Sequence, residues 1–264
     1  MVLGRALPPT EQQQLLEREF GERVTLDGLT GTWSIYQRAR GHRHSVDDVL
    51  TAAYALEVSP SVTRHLDLGT GIGTVGLLVL WGMGAQASLV AIEAQTVSYR
   101  LLLANLEHNG LGKRVQPLLG DLRELVLSER FPLITGSPPY FPVSAGIVPQ
   151  DSQKAHARFE LRGDVTDYAS AARRHLAPGG WFVFCFPTPQ KARARAAVAS
   201  AGLSLSRVRD VIPRDGLAPL FSLFACRHAA HADAPCAEDP PLLVREASGE
   251  LSATMQQVRQ RFGF

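Results

Sequence analysis

The apolar positions of the chain fall into two kinds of run, and their alternation predicts an α/β fold. Mostly apolar runs occupy residues 88–92, 131–136 and 181–186, each about the length of a buried strand, and a shorter one at 66–68 contains Asp67. Spacings typical of helices occur between these runs, at 74–80, 96–107 and 167–176, and after the last of them, at 189–201. Strands that alternate with helices favour a mostly parallel sheet. Two further runs, 203–211 and 220–226, predict an antiparallel hairpin that closes it.

The segments at either side of this pattern are less regular. A helix is predicted over Pro8 to Phe20, two short strands over 23–29 and 32–37, and a helix capped by Ser45. Residues 141–162 are irregular, and 228–241 are rich in Ala, Asp and Pro, which is typical of a linker. A short strand at 242–244 and a helix over 254–264 follow. We therefore expect an N-terminal segment 1–44, a main domain 45–228 and a C-terminal extension 229–264.

Composition narrows the class of protein without identifying it. The 264 residues are 45% hydrophobic and 20% charged, which are globular values, and the net charge of +2 is too small to imply nucleic acid by itself. The three cysteines form no metal-ligand spacing with each other or with histidine. Since no apolar run reaches 18 residues and the first residues do not resemble a signal peptide, we expect a cytoplasmic protein without metal or membrane contact.

A glycine-rich turn follows the first strand of the main domain. The stretch 66–73 reads Leu-Asp-Leu-Gly-Thr-Gly-Ile-Gly, in which the glycines allow backbone amides to approach a ligand closely. Asp67 precedes the turn, Glu93 ends the next strand 20 residues after Gly73, and Asp121 lies at the end of a third strand-like run, which comes before the one at 131–136. Because ligands of open α/β sheets bind at the carboxyl ends of the strands, these acids are candidates for cofactor binding.

The pattern of this turn does not fit a dinucleotide site. The third glycine of G-x-G-x-x-G would fall on Thr74. The turn resembles the first motif of class I S-adenosylmethionine-dependent methyltransferases. This resemblance implies a Rossmann-like, seven-stranded sheet and S-adenosylmethionine as cofactor. It implies that the loop contacts the methionine part, Glu93 the ribose and Asp121 the adenine. The implied cofactor residues in and before the loop are Asp67, Gly69, Thr70, Gly71 and Gly73.

A second motif, Ser137-Pro138-Pro139-Tyr140, ends the apolar run at 131–136. Two prolines cannot continue a central strand, so the chain leaves the sheet in a stiff turn. The turn resembles the [Asp/Asn/Ser]-Pro-Pro-aromatic motif of methyltransferases that act on planar amino groups. In that family the first side chain and the following carbonyl accept hydrogen bonds from the amine, and the aromatic ring stacks on the substrate. This implies such roles for Ser137, Pro138 and Tyr140.

Basic residues precede the main domain and follow the second motif. No acid occurs from Gly28 to Val46, whereas Arg38, Arg40 and Arg43 cluster there. Arginine suits phosphate contacts. This region resembles the segment before the first motif in bacterial valine tRNA adenine methyltransferases, which implies tRNA as substrate and Asp47 as a residue near the cofactor. Arg158, in the stretch after Tyr140, would then border the target base.

Several alternatives stay open. Ser137 stands where the tRNA adenine enzymes commonly have Asn, and serine is found in cytosine amino-methyltransferases, so another base is an alternative acceptor. A protein glutamine amide is a second. A dinucleotide-dependent oxidoreductase is disfavoured by Thr74 and the Pro-Pro turn, and a catalytically silent RNA-binding module is the last alternative.

Overall fold

An eight-stranded sheet flanked by helices organises the protein. The structure is a computed structural model that describes residues 10–231 and 235–264. Its helices are α1 Glu11–Phe20, α2 Val46–Val58, α3 Thr74–Gly82, α4 Thr96–His108, α5 Ser152–Arg158, α6 Val165–His175, α7 Lys191–Ser200 and α8 Ala253–Phe262. Its strands are β1 Val24–Thr30, β2 Trp33–Arg38, β3 Arg64–Leu68, β4 Ser88–Glu93, β5 Val115–Leu119, β6 Phe131–Gly136, β7 Leu176–Pro187, β8 Leu203–Ile212, β9 Phe221–His228 and β10 Ala237–Leu243.

The large sheet has the strand order β10-β8-β9-β7-β6-β3-β4-β5. Every neighbouring pair is parallel except the two that involve β9, which runs antiparallel to β7 and β8. The predicted α/β class, the mostly parallel sheet and the antiparallel hairpin are confirmed. The predicted count of seven strands is wrong, because β10 adds an eighth strand at the edge.

Strand β10 lies mostly within the segment predicted as a linker. Pro240 and Pro241 suggested a break, but a proline is tolerated on an edge strand, where its missing N–H faces no partner. The register of β10 against β8 shifts between Asp239 and Leu242, at this Pro-Pro pair. Asp239 anchors the strand, since its carboxylate accepts hydrogen bonds from the hydroxyl of Tyr54 at 2.6 Å and from Nη2 of Arg207 at 3.0 Å.

Helix α5 lies in the stretch 141–162, which was predicted to be irregular, so that prediction is wrong over 152–158. Its N-cap is Asp151, whose side chain accepts a hydrogen bond of 2.9 Å from the backbone N–H of Lys154. A helix of seven residues is too short to give a clear apolar period. Its position after the Pro-Pro turn places it over the carboxyl ends of the strands.

The N-terminal elements form a small module that packs on α4. Helix α1 begins after Thr10, whose side chain accepts from the N–H of Gln13, and the predicted start at Pro8 lies outside the described residues. Strands β1 and β2 form their own antiparallel sheet. Asn105 of α4 accepts a hydrogen bond of 2.6 Å from the N–H of Tyr36. This docking fixes the segment 39–45, which leads from β2 to α2 across the carboxyl edge of the large sheet.

Apolar side chains fill both faces of the large sheet. On one face, Phe182, Phe184 and Phe224 stack in a row with centroid distances of 5.0 and 4.9 Å. The other face is covered by α2, α3 and α4. Within the two described ranges, no helix combines the length and the apolar character needed to cross a bilayer.

Candidate active site

Asp67 stabilises the conformation of the glycine loop through hydrogen bonds. Its side chain is buried (the residue is 1% exposed) and accepts three hydrogen bonds, from Oγ1 of Thr70 at 2.6 Å, from the N–H of Gly76 at 3.0 Å and from Oγ1 of Thr135 at 2.6 Å. Burial raises the pKa of Asp67, although these hydrogen bonds oppose the shift. The carboxylate therefore orients the loop and the start of α3.

The loop itself places backbone groups around an open cavity. Gly69 and Gly71 both have φ of 60°, a left-handed conformation that favours glycine. A Cβ on Gly71 would meet nothing within 4 Å, so the space above this residue is open. The loop thus presents backbone to a space in which a ligand can lie directly against it.

Glu93 lies opposite the loop at the tip of β4. Its Oε2 accepts a hydrogen bond of 2.8 Å from the N–H of Gly71, and its Oε1 accepts one of 2.7 Å from the N–H of Gln95. Burial raises the pKa of Glu93, and the two backbone donors oppose this shift. Each carboxylate oxygen can accept a second hydrogen bond. The buried acid and the open space over Gly71 fit the ribose hydroxyls of a nucleoside cofactor.

Asp121 lies at the rim of the same cavity, beyond the end of β5. Its carboxylate binds the side chain of Arg123 through Nε at 2.9 Å and Nη2 at 2.6 Å. The hydrogen bond from the Arg123 side chain lowers the pKa of Asp121. The Asp121 carboxylate at the cavity is therefore ionised and already paired with Arg123.

The Ser-Pro-Pro-Tyr turn borders the cavity from the end of β6. Ser137 and Pro139 line it, and the buried thiol of Cys185 donates to Oγ of Ser137 at 3.6 Å. The ring of Tyr140 packs edge-on against Phe186, with centroids 6.0 Å apart. The glycine loop and the turn thus meet in one cavity.

Many of the predicted site residues line the cavity, and the others do not. Those that line it are Asp67, Gly69, Thr70, Gly71, Glu93, Asp121, Ser137 and Arg43. Apart from the arginines, four others do not line it and have contacts elsewhere, among them Tyr140, whose ring packs on Phe186 and whose hydroxyl bonds to Asp47. A Cβ on Gly73 would lie 2.8 Å from Cδ1 of Leu102, so this glycine allows the loop to pack on α4. Pro138 is buried behind the turn. Asp47 accepts a hydrogen bond from Tyr140, and its neighbour Asp48 lines the cavity instead.

The predicted substrate arginines divide into paired and exposed groups. Arg38 forms ion pairs with Glu22 and, at 2.7 Å, with Asp151. Arg43 pairs with Asp27 at 2.9 Å. The side chain of Arg40 is 81% exposed and lies 3.5 Å from Glu22. Arg158 is exposed, and no ion pair involves it among the described residues. Arg40 and Arg158 are thus the most accessible of the four.

Several residues that close the cavity were not among the predicted site residues. His42 and His44 reach it from the segment before α2, and Gln153 and His156 reach it from α5. Burial lowers the pKa of all three histidines, so they are neutral at pH 7. Each lies on an irregular segment or on a helix that the sequence did not predict.

Gln153 connects these two covering segments to helix α4. Its Oε1 accepts from the N–H of His42 at 3.3 Å, and its Nε2 donates to Oγ of Ser98 at 3.2 Å. The residue is 1% exposed. A lone glutamine in an irregular stretch carries no sequence signal for such a contact.

Comparison with known proteins places this geometry among methyltransferases. No family model matches the sequence. The chain is 26% identical over 228 residues, 86% of this chain and 91% of the relative, to a tRNA1(Val) (adenine(37)-N6)-methyltransferase of Vibrio cholerae. It is 32% identical over 162 residues, 59% of this chain and 58% of the relative, to the release factor glutamine methyltransferase of Xylella fastidiosa.

Solved structures share the fold at low sequence identity. A predicted O-methyltransferase from Agrobacterium tumefaciens superposes with a TM-score of 0.62 at 19% identity, over 83% of this chain and 97% of that one. A 16S rRNA N2 methyltransferase from T. thermophilus, solved with AdoMet and guanosine, gives 0.54 at 19% identity, over 78% of this chain and 50% of that one. The relatives and the cavity together confirm the predicted enzyme class and the predicted cofactor.

Proposed function

We propose that this S-adenosylmethionine-dependent methyltransferase methylates the exocyclic amino group of an RNA base, and that the base is an adenine in tRNA. The observation that carries this proposal is the cavity shared by the glycine loop and the Ser-Pro-Pro-Tyr turn, which both Gly71 and Ser137 line. A cofactor held on the loop would lie next to an acceptor held by the turn. Such proximity supplies much of the rate enhancement in group transfer.

The side chains of the turn suit a planar amine. S-adenosylmethionine, when bound, supplies an electrophilic methyl group. Oγ of Ser137 and the carbonyl of Pro138 would accept hydrogen bonds from the two amine hydrogens and so localise the nitrogen lone pair. These bonds strengthen as the nitrogen gains positive charge, so they stabilise the transition state more than the ground state. The proton released after transfer needs no strong base, since an alkylated amine cation of this kind is acidic.

The surface around the turn suits a single-stranded nucleic acid. Phe141, Val143 and Ile147 follow the turn and are 42%, 48% and 95% exposed. The exposed cations Arg40 and Arg158 lie on the two segments that cover the cavity. Aromatic or apolar side chains that receive bases, together with cations that receive phosphates, are how proteins bind unpaired strands. The similarity to the Vibrio cholerae tRNA enzyme, which extends over most of both chains, supports the same acceptor class.

A glutamine amide in a protein is the second candidate acceptor. The Xylella fastidiosa relative supports it, because its identity of 32% exceeds that of the tRNA enzyme. An amide nitrogen is planar and carries two hydrogens, like the amine of adenine, so the turn suits both. That similarity covers a little over half of each chain, whereas the similarity to the tRNA enzyme covers most of both.

The N-terminal segment 1–44 would serve as a substrate arm beside the methyltransferase domain 45–228, with 229–264 as an extension. The position of His42 and Arg43 at the cavity supports the first role. The pairing of β10 with β8 supports a stabilising role for the extension.

Transfer of label from S-adenosylmethionine to defined acceptors tests the proposal. The purified protein is incubated with methyl-labelled cofactor and, separately, with total bacterial tRNA, a recombinant release factor and duplex DNA. We expect label in tRNA alone, and nucleoside digestion should recover it as N6-methyladenosine. Label in the release factor would favour the amide alternative. Label in cytidine or guanosine would retain RNA as substrate and replace adenine as target.

A further inference from the structure

Tyr168 of α6 presents a hydroxyl without a partner to the cavity. The residue lines the cavity and is 8% exposed. Among the residues that the structure describes, none forms a hydrogen bond with this hydroxyl. The ring is buried, whereas the hydroxyl oxygen is not among the buried unpaired polar atoms of the described residues and so is open to the cavity, where its proton has no acceptor from the protein. A ligand in the cavity can supply the missing acceptor.

The glycines of two strand ends make room for this side chain. A Cβ on Gly69 would collide with the Tyr168 hydroxyl oxygen, and a Cβ on Gly136 would lie 2.8 Å from Cδ1 of the ring. Leu68 and Gly136 are paired in the sheet, so the ring lies under the junction of β3 and β6. The hydroxyl therefore ends at the glycine loop, where the cofactor is expected to lie.

The hydroxyl is available as a donor. Burial and the nearby carboxylates of Glu93 and Asp67 raise the pKa of Tyr168, so the proton stays on the oxygen at neutral pH. Glu93 accepts from Gly71 and Asp67 accepts from Thr70, and among the described residues neither carboxylate accepts from the Tyr168 hydroxyl. The phenolic proton is thus left for a group that enters the cavity.

We propose that the Tyr168 hydroxyl donates a hydrogen bond to an oxygen atom of bound S-adenosylmethionine, in its carboxylate or its ribose. The inference rests on the cofactor and not on the acceptor, so it holds whichever base or amide is methylated. Because S-adenosylhomocysteine carries the same oxygens, the bond is made to both ligands and is independent of the sulfonium charge.

The substitution Tyr168→Phe removes the hydroxyl and keeps the ring. We expect the dissociation constants of S-adenosylmethionine and S-adenosylhomocysteine, measured by calorimetry, to rise together by about fivefold to tenfold. The melting temperature without ligand should not fall, since the lost hydroxyl had no partner in the protein. Tyr99→Phe is the matched control, because the Tyr99 hydroxyl bonds to the carbonyl of Pro117 at 3.4 Å, outside the cavity.

Two results would overturn the inference. Unchanged affinity for both ligands would show that the hydroxyl contacts neither. A loss confined to S-adenosylmethionine would show a contact with the sulfonium group and not with a shared oxygen. Tyr168→Phe could also melt at a lower temperature without ligand. In that case two quantities are compared with those of Tyr99→Phe: the ratio of the affinities for the two ligands, and the rise in melting temperature that each ligand produces. They still show whether the hydroxyl contacts a shared oxygen, the sulfonium group or neither. Neither outcome bears on the identity of the methyl acceptor.

Discussion

The hydroxyl of Tyr140 donates a hydrogen bond of 2.9 Å to Oδ2 of Asp47, and this bond joins the Pro-Pro turn to the first turn of α2. Burial raises the pKa of Tyr140, so the phenol is the donor at neutral pH. The bond ties the end of the ring to a helix and so restricts its movement beside the cavity. Asp47, predicted as a cofactor residue, is thus placed where it would position the stacking residue.

Two substitutions of Tyr140 should distinguish the effect of positioning the ring from the effect of the ring's stacking surface. Tyr140→Phe keeps the ring and releases Asp47, so we expect a rise in KM corresponding to about 0.5–1.5 kcal/mol. Tyr140→Ala also removes the stacking surface, worth about 1–3 kcal/mol per base, and should affect KM more strongly. Steady-state kinetics on the methylated substrate gives both values. Equal KM for the wild type and both variants would contradict a stacking role.

Ser137 should act mainly in the chemical step. Ser137→Ala removes an acceptor that matters most as the amine becomes positive, so kcat should fall about tenfold to a hundredfold with little change in KM. Ser144→Ala, on the exposed loop after the turn, is the control. Ser137→Asn should retain activity if the target is an adenine amine and lose it if the pocket is fitted to serine for another acceptor. Full turnover in Ser137→Ala would make the turn purely structural.

Glu93 should be required for cofactor affinity. In Glu93→Gln, an amide N–H₂ would face a backbone N–H in place of a carboxylate oxygen, which disturbs the loop as well as the ribose contact. Since a hydrogen bond to a charged group contributes about 1.5–3 kcal/mol, the dissociation constant of S-adenosylmethionine should rise at least about tenfold. Calorimetry measures it, with the exposed Glu107→Gln on α4 as control. Wild-type affinity in Glu93→Gln would remove this acid from the site.

RNA binding should depend on salt through Arg40 and Arg158. Each phosphate contact adds roughly 0.7 to the slope of log affinity against log salt for a single strand. The double variant Arg40→Glu, Arg158→Glu should therefore flatten the slope measured by filter binding and leave cofactor affinity unchanged. Arg130→Glu, compared with each single variant, makes the same change of charge at the amino end of β6, away from the cavity, and should leave the slope intact. A slope indifferent to all three substitutions would contradict the proposed RNA contacts.

Acid should destabilise the protein partly through His65. Burial lowers the pKa of His65 from 6.5 to about 3, while its Nε2 lies 2.7 Å from Oγ1 of Thr135. Between these pH values the unfolded chain binds a proton that the folded protein excludes, so stability is lost as the pH falls below 6.5. Asp67 and Glu93 have raised pKa values and act in the opposite direction. The difference in urea unfolding between wild type and His65→Gln isolates the histidine, and its contribution should grow from pH 6.5 to pH 4. Parallel curves would contradict it.

The sequence predicted the centre of the molecule better than its margins, for a physical reason. Strands β4 and β6 are buried on both faces and have mostly apolar sequences with little ambiguity, whereas β3 carries His65 and Asp67 and was recognised from the glycine-rich turn that follows it. Once the ends of these strands are known, the acids at their carboxyl ends can be placed as well. Hence the amino-acid pattern alone was enough to place Asp67, Glu93 and Ser137 at one edge of the sheet.

Contacts made by irregular segments could not be predicted in this way. Gln153 and His42 reach the cavity only because α5 and the segment before α2 fold over it, and their pairing spans more than a hundred residues. Tyr168 is one apolar position among several on α6, and nothing in the local sequence distinguishes its hydroxyl. Strand β10 depends on Arg207 and Tyr54, which are distant in sequence from Asp239.

Both outer strands of the eight-stranded sheet contain proline, Pro117 in β5 and Pro240 and Pro241 in β10. An exposed strand edge is a template on which other chains can add strands and aggregate. Proline offers no N–H to an incoming strand, so each margin of this sheet presents an interrupted row of donors. The residues that made β10 hard to recognise also limit strand-by-strand association between copies of the protein, which matters for an enzyme whose sheet is otherwise long and rich in phenylalanine.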